Sequence, residues 1–387
     1  LTEFQIKNFE TEFEKCNKKL LELENSRITL VDAYLRKKRN FKHLMKAFLS
    51  KIKINGIVPF AKYARNAFIA KKILNSLQTK HYINLVKVGK ILNSLNTITS
   101  QYLSLSKVKN KKTENKINFE NLFYHLRPGT YDITVKRSIS SIKKRKIVNL
   151  SSILSFKNTS KNLLSPQEIN KIDKFLLKNK CNFNTLELYN YIVLSLKLRE
   201  NSKFIFTRAL SDYLQLIEKW GQKKSMNVEK LSNIEIKNIL KNFNTSNMKF
   251  DFEKYKKQRD LNAICKLPYL ITTSSDFFVA SILISRPNFI TESKVISKTF
   301  HLKREQNTNK IKGKIILIEN ADPGFDWIFN HKIKGLITKY GGVNSHMSIR
   351  CHELNIPAAI GVGEESFDKL ISGDKIILNC KEKKIFN

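Results

Sequence analysis

The chain lacks several features that would place it in a common class of protein. No apolar run among its 387 residues approaches the roughly 18 residues of a membrane-spanning helix, and Leu1 to Asn25 is too charged for a signal peptide. The five cysteines are scattered without CxxC spacing, which argues against a zinc site or a disulfide framework and fits a reducing cytosol. We therefore expect a cytoplasmic protein that neither crosses a membrane nor binds a metal of its own.

Acidic residues and glycine are also scarce. The chain has 33 Asp and Glu against 71 Lys and Arg, a net charge of +38, and 12 glycines. From Ile311 onward eleven Lys and Arg stand against nine Asp and Glu, so almost all of the excess lies upstream. There the lysines are mixed with abundant Asn and Ile, as in proteins of AT-rich genomes, without an aromatic-interleaved RNA motif or zinc finger. We expect solvated lysine faces rather than nucleic-acid binding, and an anionic substrate or partner surface stays open.

One turn near the C-terminus combines features that suit phosphate chemistry. The apolar run Gly335–Thr338 predicts a strand, and a glycine pair, Gly341–Gly342, follows it. Asn344 and Ser345, both good N-caps, then open an amphipathic helix with His346 in its first turn. Backbone N–H groups at such a helix start suit a phosphoryl oxygen, and the positive helix end disfavours imidazolium. The pattern predicts a neutral, nucleophilic imidazole that carries phosphate.

Two runs around this turn resemble a known family. The block GGVNSHMSIRCHELNIPAAIGVG, from Gly341 to Gly363, resembles the swivelling phosphohistidine domain of phosphoenolpyruvate-utilising enzymes, which include phosphoenolpyruvate synthase, pyruvate phosphate dikinase and rifampicin phosphotransferase. The run Ile318–Asp326 resembles the preceding strand and turn of that domain. In the family, the histidine of the GG-x-x-S-H pattern shuttles a phosphoryl group between two distant sites. By position, His346 is that histidine.

The resemblance is weaker upstream and leaves domains of the family unmatched. Leu126–Asp132 and Phe204–Asp212 look like segments between the ATP-grasp and phosphohistidine parts of phosphoenolpyruvate synthase-like proteins. We find no ATP-grasp domain, and the about forty residues after His346 leave no room for a barrel of roughly 250 residues. The domain order fits the rifampicin phosphotransferase type without its nucleotide domain. Because residue 1 is Leu, we expect either a fragment or an unusual start codon.

The resemblance implies which residues would act on the phosphoryl group. His346 is the catalytic nucleophile. The candidate phosphate-binding residues are Thr338, Gly341, Gly342, Ser345 and Arg350. The glycines could instead serve only the turn. Arg350 lies one helical turn after His346, where it either pairs with the phosphoryl group or is exposed or paired with Glu353.

The other residues of this helix are expected to serve packing. Met347, Cys351 and Leu354 share a face and are predicted to lie in the core, whereas His352 is predicted to be at the surface. Asn355 stands where the family usually has glycine, and asparagine is the next-best residue for a left-handed helix end.

Two arginines further upstream are candidate acceptor-binding residues. Arg199 and Arg208 lie on a long helix predicted from Thr185 to Trp220, which Gly221 is expected to end. They would contact the acceptor or the incoming phosphoryl group. The favoured alternative is a solvated, salt-bridged face of this helix.

The predicted fold class is multidomain, with a mainly α N-terminal region followed by an α/β swivelling phosphohistidine domain. Apolar residues at helical spacing predict the first helix: Ile6, Phe9, Phe13, Cys16, Leu20 and Leu23. Ser165 with Glu168, and Ser232 with Glu235, predict further helix starts. The predicted segments are a helical region 1–134, a basic linker 135–161, a continuing helical acceptor or docking region 162–265, a β-rich connection 266–310 and the phosphohistidine domain 311–387.

By resemblance, the predicted function is that of a dikinase-type phosphotransferase component. ATP and Mg²⁺ would act through an ATP-grasp domain on a lost N-terminus or a separate chain, and no cofactor or metal would bind this chain alone. His346 would then deliver the phosphoryl group to a small-molecule acceptor held by the helical region. The alternative is a truncated or inactive homologue that acts as a basic interaction module, and a third class, nucleic-acid binding, rests on charge alone.

Overall fold

A computed structural model of the chain describes residues 6, 8–95, 97–98, 101–102, 119–127, 130–137, 154, 162–244, 250–264, 271–275, 287–302, 311–343, 345–371, 373 and 375–386. The chain divides into two compact units. One comprises Leu1–His125 with Ile139–Lys219, and the other Leu126–Ser138 with Trp220–Asn387. Most of the predicted linker 135–161 lies outside the described residues, and the predicted boundary at 265–266 does not coincide with a boundary of these units.

The first unit is helical. Its described elements are α1 (Phe9–Leu35), α2 (Phe41–Lys51), a π-helical stretch (Ile52–Ile57), α3 (Val58–Thr79), α4 (Leu85–Ser94), α5 (Pro166–Lys178) and most of α6 (Thr185–Gln222). The predicted apolar face of the first helix is confirmed, because all six of its residues are buried. Tyr63 of α3 packs its ring against Phe13 at a centroid distance of 4.8 Å and donates a hydrogen bond to the Phe13 carbonyl.

Three local signals upstream of the sheet bear on helix ends, and the one at Ser232 is wrong. Ser165 caps α5 as predicted: its Oγ accepts from Glu168 N at 3.3 Å, and Glu168 accepts from Ser165 N at 2.7 Å. Ser232 instead lies inside α7 (Val228–Asn233), which Asn227 caps. α6 begins at Thr185 as predicted and ends at Gln222, two residues beyond the predicted end, so Gly221 lies in its last turn. A Cβ at Gly221 would lie 2.4 Å from the Leu231 side chain, so this glycine also permits close packing.

The second unit contains α7, α8 (Ile236–Lys241), α9 (Phe252–Ile264) and a seven-stranded sheet. The strands are β1 (Asn288–Ile290), β2 (Lys294–His301), β3 (Ile315–Asn320), β4 (Gly335–Tyr340), β5 (Ala358–Ile360), β6 (Lys375–Asn379) and β7 (Lys384–Phe386). Their order is β1-β5-β4-β3-β2-β6-β7. Strands β2, β3, β4 and β5 are parallel neighbours, and β1, β6 and β7 pair antiparallel at the edges.

The sheet begins earlier in the chain than residue 311, where the sequence predicts the start of the domain. β1 and β2 fall in the predicted connection 266–310, yet they pair with β5 and β3. The sequence predicts strands at 277–284, 294–302, 314–318, 335–338, 358–360 and 375–378. The first of these, Phe277–Ile284, lies outside the described residues. The predicted strands at 294–302, 314–318, 335–338, 358–360 and 375–378 agree with β2 to β6 within two residues at each end. The fold is therefore a mostly helical N-terminal region with a C-terminal sheet domain.

Helices cover both faces of the central parallel strands, whose side chains alternate between two cores. On one face, Ile316, Ile318 and Leu336 pack with α10 (His346–Glu353) and a 3₁₀ helix (Pro323–His331). On the other face, Ile315, Leu317 and Ile337 pack with α11 (Glu364–Ile371). The segments that follow β3, β4 and β5 therefore meet at one edge of the sheet, where parallel α/β folds commonly bind ligands. No helix in the described part of the chain is both long and apolar enough to cross a membrane.

Candidate functional site

The turn after β4 depends on two glycines in close approach. Gly341 has φ +140°, and a Cβ there would lie 2.7 Å from the Ala321 Cβ. Gly361, after β5, has φ +74°, and its Cβ would lie 2.5 Å from the Gly341 carbonyl oxygen. A side chain at Gly341 would push the turn away from the segment after β3, and one at Gly361 would push apart the ends of β4 and β5. Gly342, by contrast, has open space at its Cβ position.

The predicted phosphate contacts around this turn divide into two kinds. Thr338 is fully buried, and its hydroxyl accepts a hydrogen bond from the Gly361 amide at 3.0 Å. This contact holds β4 and β5 together at the turn. The Gly341 and Gly342 amides donate to no described residue, and both glycines are exposed. They can therefore receive an anion, whereas Thr338 first serves the backbone.

His346 is the first residue of α10 and follows its N-cap directly. Ser345 Oγ accepts from Ser348 N at 3.3 Å, and Ser345 N donates to Gly342 O at 2.9 Å. The predicted N-cap at Ser345 is thus confirmed, and Asn344 lies outside the described residues. The imidazole of His346 is only 4% exposed. The helix start and the glycine turn together fix where this ring enters the site.

The carboxylate of Asp326 contacts His346. From the sequence, Asp326 is only the last residue of the run Ile318–Asp326, without a predicted role of its own. Asp326, on the 3₁₀ helix, has its Oδ1 2.8 Å from His346 Nε2 and is 7% exposed. Asp322 caps the same helix by accepting from Gly324 N at 2.9 Å. A carboxylate accepts hydrogen bonds, so Nε2 donates and the lone pair of the neutral ring is on Nδ1. Nothing in the spacing of two residues on separate elements indicates this contact.

Arg350 shares the same carboxylate oxygen. Its Nε donates to Asp326 Oδ1 at 2.9 Å, and its Nη1 donates to Glu353 at 3.1 Å. The side chain is 9% exposed, and its guanidinium lies 5.5 Å from the centroid of the Phe329 ring. Arg350 is predicted either to pair with the phosphoryl group or to be exposed or paired with Glu353. The structure contains the pair with Glu353. Nη2 donates to no described residue, which leaves one nitrogen for a phosphoryl oxygen.

The rest of α10 packs largely as predicted. Met347 and Cys351 are fully buried, and His352 is exposed. Burial raises the pKa of the Cys351 thiol, so it stays protonated and is not a nucleophile. Leu354 is 42% exposed, against the prediction, because the helix ends at Glu353 and the chain turns there. Asn355 adopts the predicted left-handed conformation, with φ 52°.

The two candidate acceptor-binding arginines lie on α6 about two and a half helical turns apart, on opposite sides of the helix. Arg199 pairs with Glu200 at 3.1 Å on a partly exposed face, as in the predicted alternative. Arg208 is fully buried, and its guanidinium lies 5.3 Å from the Tyr124 ring centroid. A solvated face is therefore wrong for Arg208, and a shared acceptor contact for both arginines stays a prediction.

The described residues include no group of three His, Cys, Asp or Glu side chains placed to hold a metal ion. The site instead consists of a glycine turn, a helix N-terminus, an imidazole and an Arg–carboxylate pair. This arrangement suits a nucleophilic imidazole that forms a bond to phosphorus, with amide and guanidinium donors for the phosphoryl oxygens.

Comparison with known proteins points to the same class. Residues 310–383 match the family model described as PEP-utilising enzyme, mobile domain, where PEP is phosphoenolpyruvate. Over 70 residues the chain is 33% identical to the phosphoenolpyruvate synthase of Aquifex aeolicus (strain VF5). That alignment covers 18% of this chain and 8% of the length of the synthase. The similarity supports the family for the C-terminal domain and does not select a member of it.

Proposed function

We propose that this chain is the phosphoryl-carrying component of a dikinase-type phosphotransferase. His346 would take a phosphoryl group from ATP at an ATP-grasp domain, on another segment or a separate chain, and pass it to a small-molecule acceptor. The observation that supports this most directly is the position of His346 between the glycine turn and Asp326, at the first residue of α10. The match of residues 310–383 to the mobile domain family supports the same class of chemistry.

Each transfer exchanges one bond at phosphorus. A ring nitrogen of neutral His346 attacks the phosphorus, the P–N bond forms, and the P–O bond to the leaving phosphate breaks. Asp326 balances the positive charge that develops on the ring, while Arg350 Nη2 and the amides of Gly341 and Gly342 stabilise the phosphoryl oxygens. In the second step an acceptor oxygen attacks phosphorus and the P–N bond breaks. Mg²⁺ and the nucleotide would be supplied by the ATP-grasp partner.

Because His346 Nε2 is hydrogen-bonded to Asp326, the ring nitrogen that becomes phosphorylated shows whether the ring keeps this contact during transfer. If the ring keeps the contact, Nδ1 is the nitrogen with a lone pair and carries the phosphoryl group. If the ring turns away from Asp326 before transfer, Nε2 carries it instead. The phosphorus chemical shift of the phosphorylated protein distinguishes the two isomers.

The test is labelling with γ- and β-labelled ATP, Mg²⁺ and a cognate ATP-grasp partner. We expect acid-labile label on the wild type and none on His346→Ala, while His352→Ala, an exposed histidine on the same helix, is labelled like the wild type. Equal labelling of His346→Ala and wild type would contradict the assignment. The absence of label on all three proteins would favour the alternative, an inactive homologue that acts as a basic interaction module.

A further inference from the structure

The helical unit contains a cleft of about 250 Å³ that phosphoryl transfer at His346 does not use. Its walls are mainly apolar and aromatic, and the side chains that matter here are Leu77, Ile172, Phe175, Leu176, Phe183 and Leu188. Four residues with polar side chains also line it: Ser76, Lys80, Tyr82 and Cys181. A concave apolar wall with a few polar groups is the usual composition of a small-molecule site.

The backbone builds this cleft through two matching helix ends. α3 and α5 each end in a left-handed residue, His81 with φ 60° and Lys180 with φ 55°. After each, the next amide turns back onto its own helix: Tyr82 N donates to Leu77 O at 3.0 Å, and Cys181 N donates to Leu176 O at 2.9 Å. The same capping geometry therefore brings both Tyr82 and Cys181 to the cleft. Its shape follows from helix ends rather than from loosely packed side chains.

The charge at the cleft has one sign. No acidic residue lines it, and Lys80 pairs with no described carboxylate. The Lys80 ammonium lies 5.3 Å from the centroid of the Phe175 ring. The ring of Tyr82 also contacts Phe175, at a centroid distance of 5.2 Å. The hydroxyl of Tyr82 makes no hydrogen bond to a described residue. The helix-end carbonyls are bonded by the capping amides, so the full charge of Lys80 dominates their partial negative charge.

We propose that this cleft binds an amphipathic organic anion, with its apolar or aromatic body against Phe175 and Phe183 and its acidic group at Lys80. The apolar walls select the body by removing its surface from water, and Lys80 selects the sign of the charge. The site belongs to the helical unit and stands whether or not His346 carries phosphate.

Cys181 gives a local reporter of binding. It is half-buried, whereas Cys16, Cys351 and Cys380 are buried. Cys265 lies outside the described residues, so the full-length chain is used with Cys265→Ser. The ligand is 8-anilino-naphthalene-1-sulfonate, an aromatic anion, and the readouts are its fluorescence titration and the rate of Cys181 alkylation by iodoacetamide. We expect a single saturable site and a Cys181 alkylation rate that falls several-fold at saturation.

Matched variants and a matched dye test the role of Lys80. Lys80→Met should weaken binding about fivefold, and Lys178→Met, which removes an exposed lysine of α5 outside the cleft, should not. N-Phenyl-1-naphthylamine, which lacks the sulfonate, should bind more weakly and respond to neither variant. Dye binding that leaves Cys181 alkylation unchanged, equal effects of the two lysine variants, or the absence of a saturable site would each overturn the proposal.

Discussion

The two units of the molecule each bury an arginine among carboxylates, but the two clusters differ in what else they contain. In the helical unit, Arg27 donates to Glu24 at 2.6 Å and to Asp212 at 2.7 Å, and the Tyr124 hydroxyl donates to Asp212 at 2.7 Å. In the sheet domain, Asp326 accepts from His346 and Arg350 at 2.8 and 2.9 Å. Burial and ion pairing are common to both.

The difference lies in the groups that stay available for chemistry. The helical cluster joins side chains from α1, α6 and the segment around Tyr124 in the interior of a bundle, where Arg27 and Tyr124 donate to its two carboxylates. The sheet-domain cluster stands at a helix N-terminus beside two exposed glycine amides, and it holds an imidazole. Burial and ion pairing alone therefore do not single out a site. The sheet-domain cluster differs by its place at the carboxyl ends of parallel strands and by its imidazole, and these two features support the proposed phosphoryl transfer there.

The largest expected effect tests whether the helical cluster is structural. Asp212→Ala leaves part of the Arg27 charge buried without its partner, and we expect the free energy of unfolding to fall by about 3–5 kcal/mol. Asp326→Ala should cost less, about 1–3 kcal/mol, for two reasons. The remaining partner of Arg350, Glu353, is partly exposed, whereas the remaining partner of Arg27, Glu24, is buried, and only the loss of Asp212 also removes an acceptor of the Tyr124 hydroxyl. Urea unfolding of both variants measures the difference. Glu14→Ala, at an exposed position of α1, serves as the control and should change little. An equal loss for Asp212→Ala and Asp326→Ala would remove the contrast between the clusters.

The second prediction tests how far the sheet-domain cluster depends on its turn. Gly341→Ala places a Cβ 2.7 Å from Ala321 at a positive φ, and we expect a loss of about 2–4 kcal/mol in the free energy of unfolding. Gly342→Ala, in open space, should stay within about 0.5 kcal/mol of the wild type. Thermal and urea unfolding of the pair checks this. If Gly342→Ala were the more damaging change, the close approach at Gly341 would not be what holds the turn.

These glycines illustrate what local sequence patterns can and cannot predict. The positions of the strands along the chain, the helix start at Ser345 and the left-handed Asn355 follow from short-range signals, since apolar runs, caps and turn residues act on their immediate neighbours. Which glycine of the pair is indispensable depends instead on Ala321 and on Gly361, two residues from other segments. A local pattern indicates that the turn exists, and tertiary contacts decide which residue it needs.

The same limit applies to the site residues. His346 could be predicted because its glycines and N-cap are adjacent in sequence, whereas Asp326 reaches it only through the packing of the 3₁₀ helix on α10. Arg208 shows the converse case, because its charge suggests a solvated face while the bundle buries it against Tyr124. Charged residues follow the tertiary environment more than the helical pattern.

A smaller effect separates hydrogen bonding from charge in the helical cluster. Tyr124→Phe removes the hydroxyl that donates to Asp212, and we expect a loss of about 1–2 kcal/mol near pH 7. Burial, and then the charge of Asp212, raises the pKa of Tyr124. The stability that Tyr124 adds is thus present below its unfolded pKa of about 10 and is lost as pH rises through the folded pKa.

Unfolding measured from pH 7 to pH 11 checks the sign. The difference in unfolding free energy between wild type and Tyr124→Phe should be constant to about pH 9 and shrink above about pH 10. A difference that grew at high pH would mean that ionised Tyr124 is the stabilising form. The other buried tyrosines are present in both proteins, so their contributions cancel in this difference.

The smallest expected effect compares one backbone motif in the two units. Lys180 at the end of α5 and Asn355 at the end of α10 are both left-handed, with φ 55° and 52°, and both are followed by an amide that bonds back onto the helix. Lysine tolerates this conformation less well than asparagine, and glycine tolerates it best.

We expect Lys180→Gly to raise the free energy of unfolding by about 0.5–1 kcal/mol, and Asn355→Gly by about 0.3 kcal/mol. Asn355→Ala, which keeps a Cβ without the local hydrogen bonds of an amide side chain, should lower it by about 1 kcal/mol. Urea unfolding of the three variants tests the order. If Asn355→Gly stabilised the protein more than Lys180→Gly, the asparagine would be strained by something other than its left-handed backbone, and the nearby site at His346 would be the place to look for it.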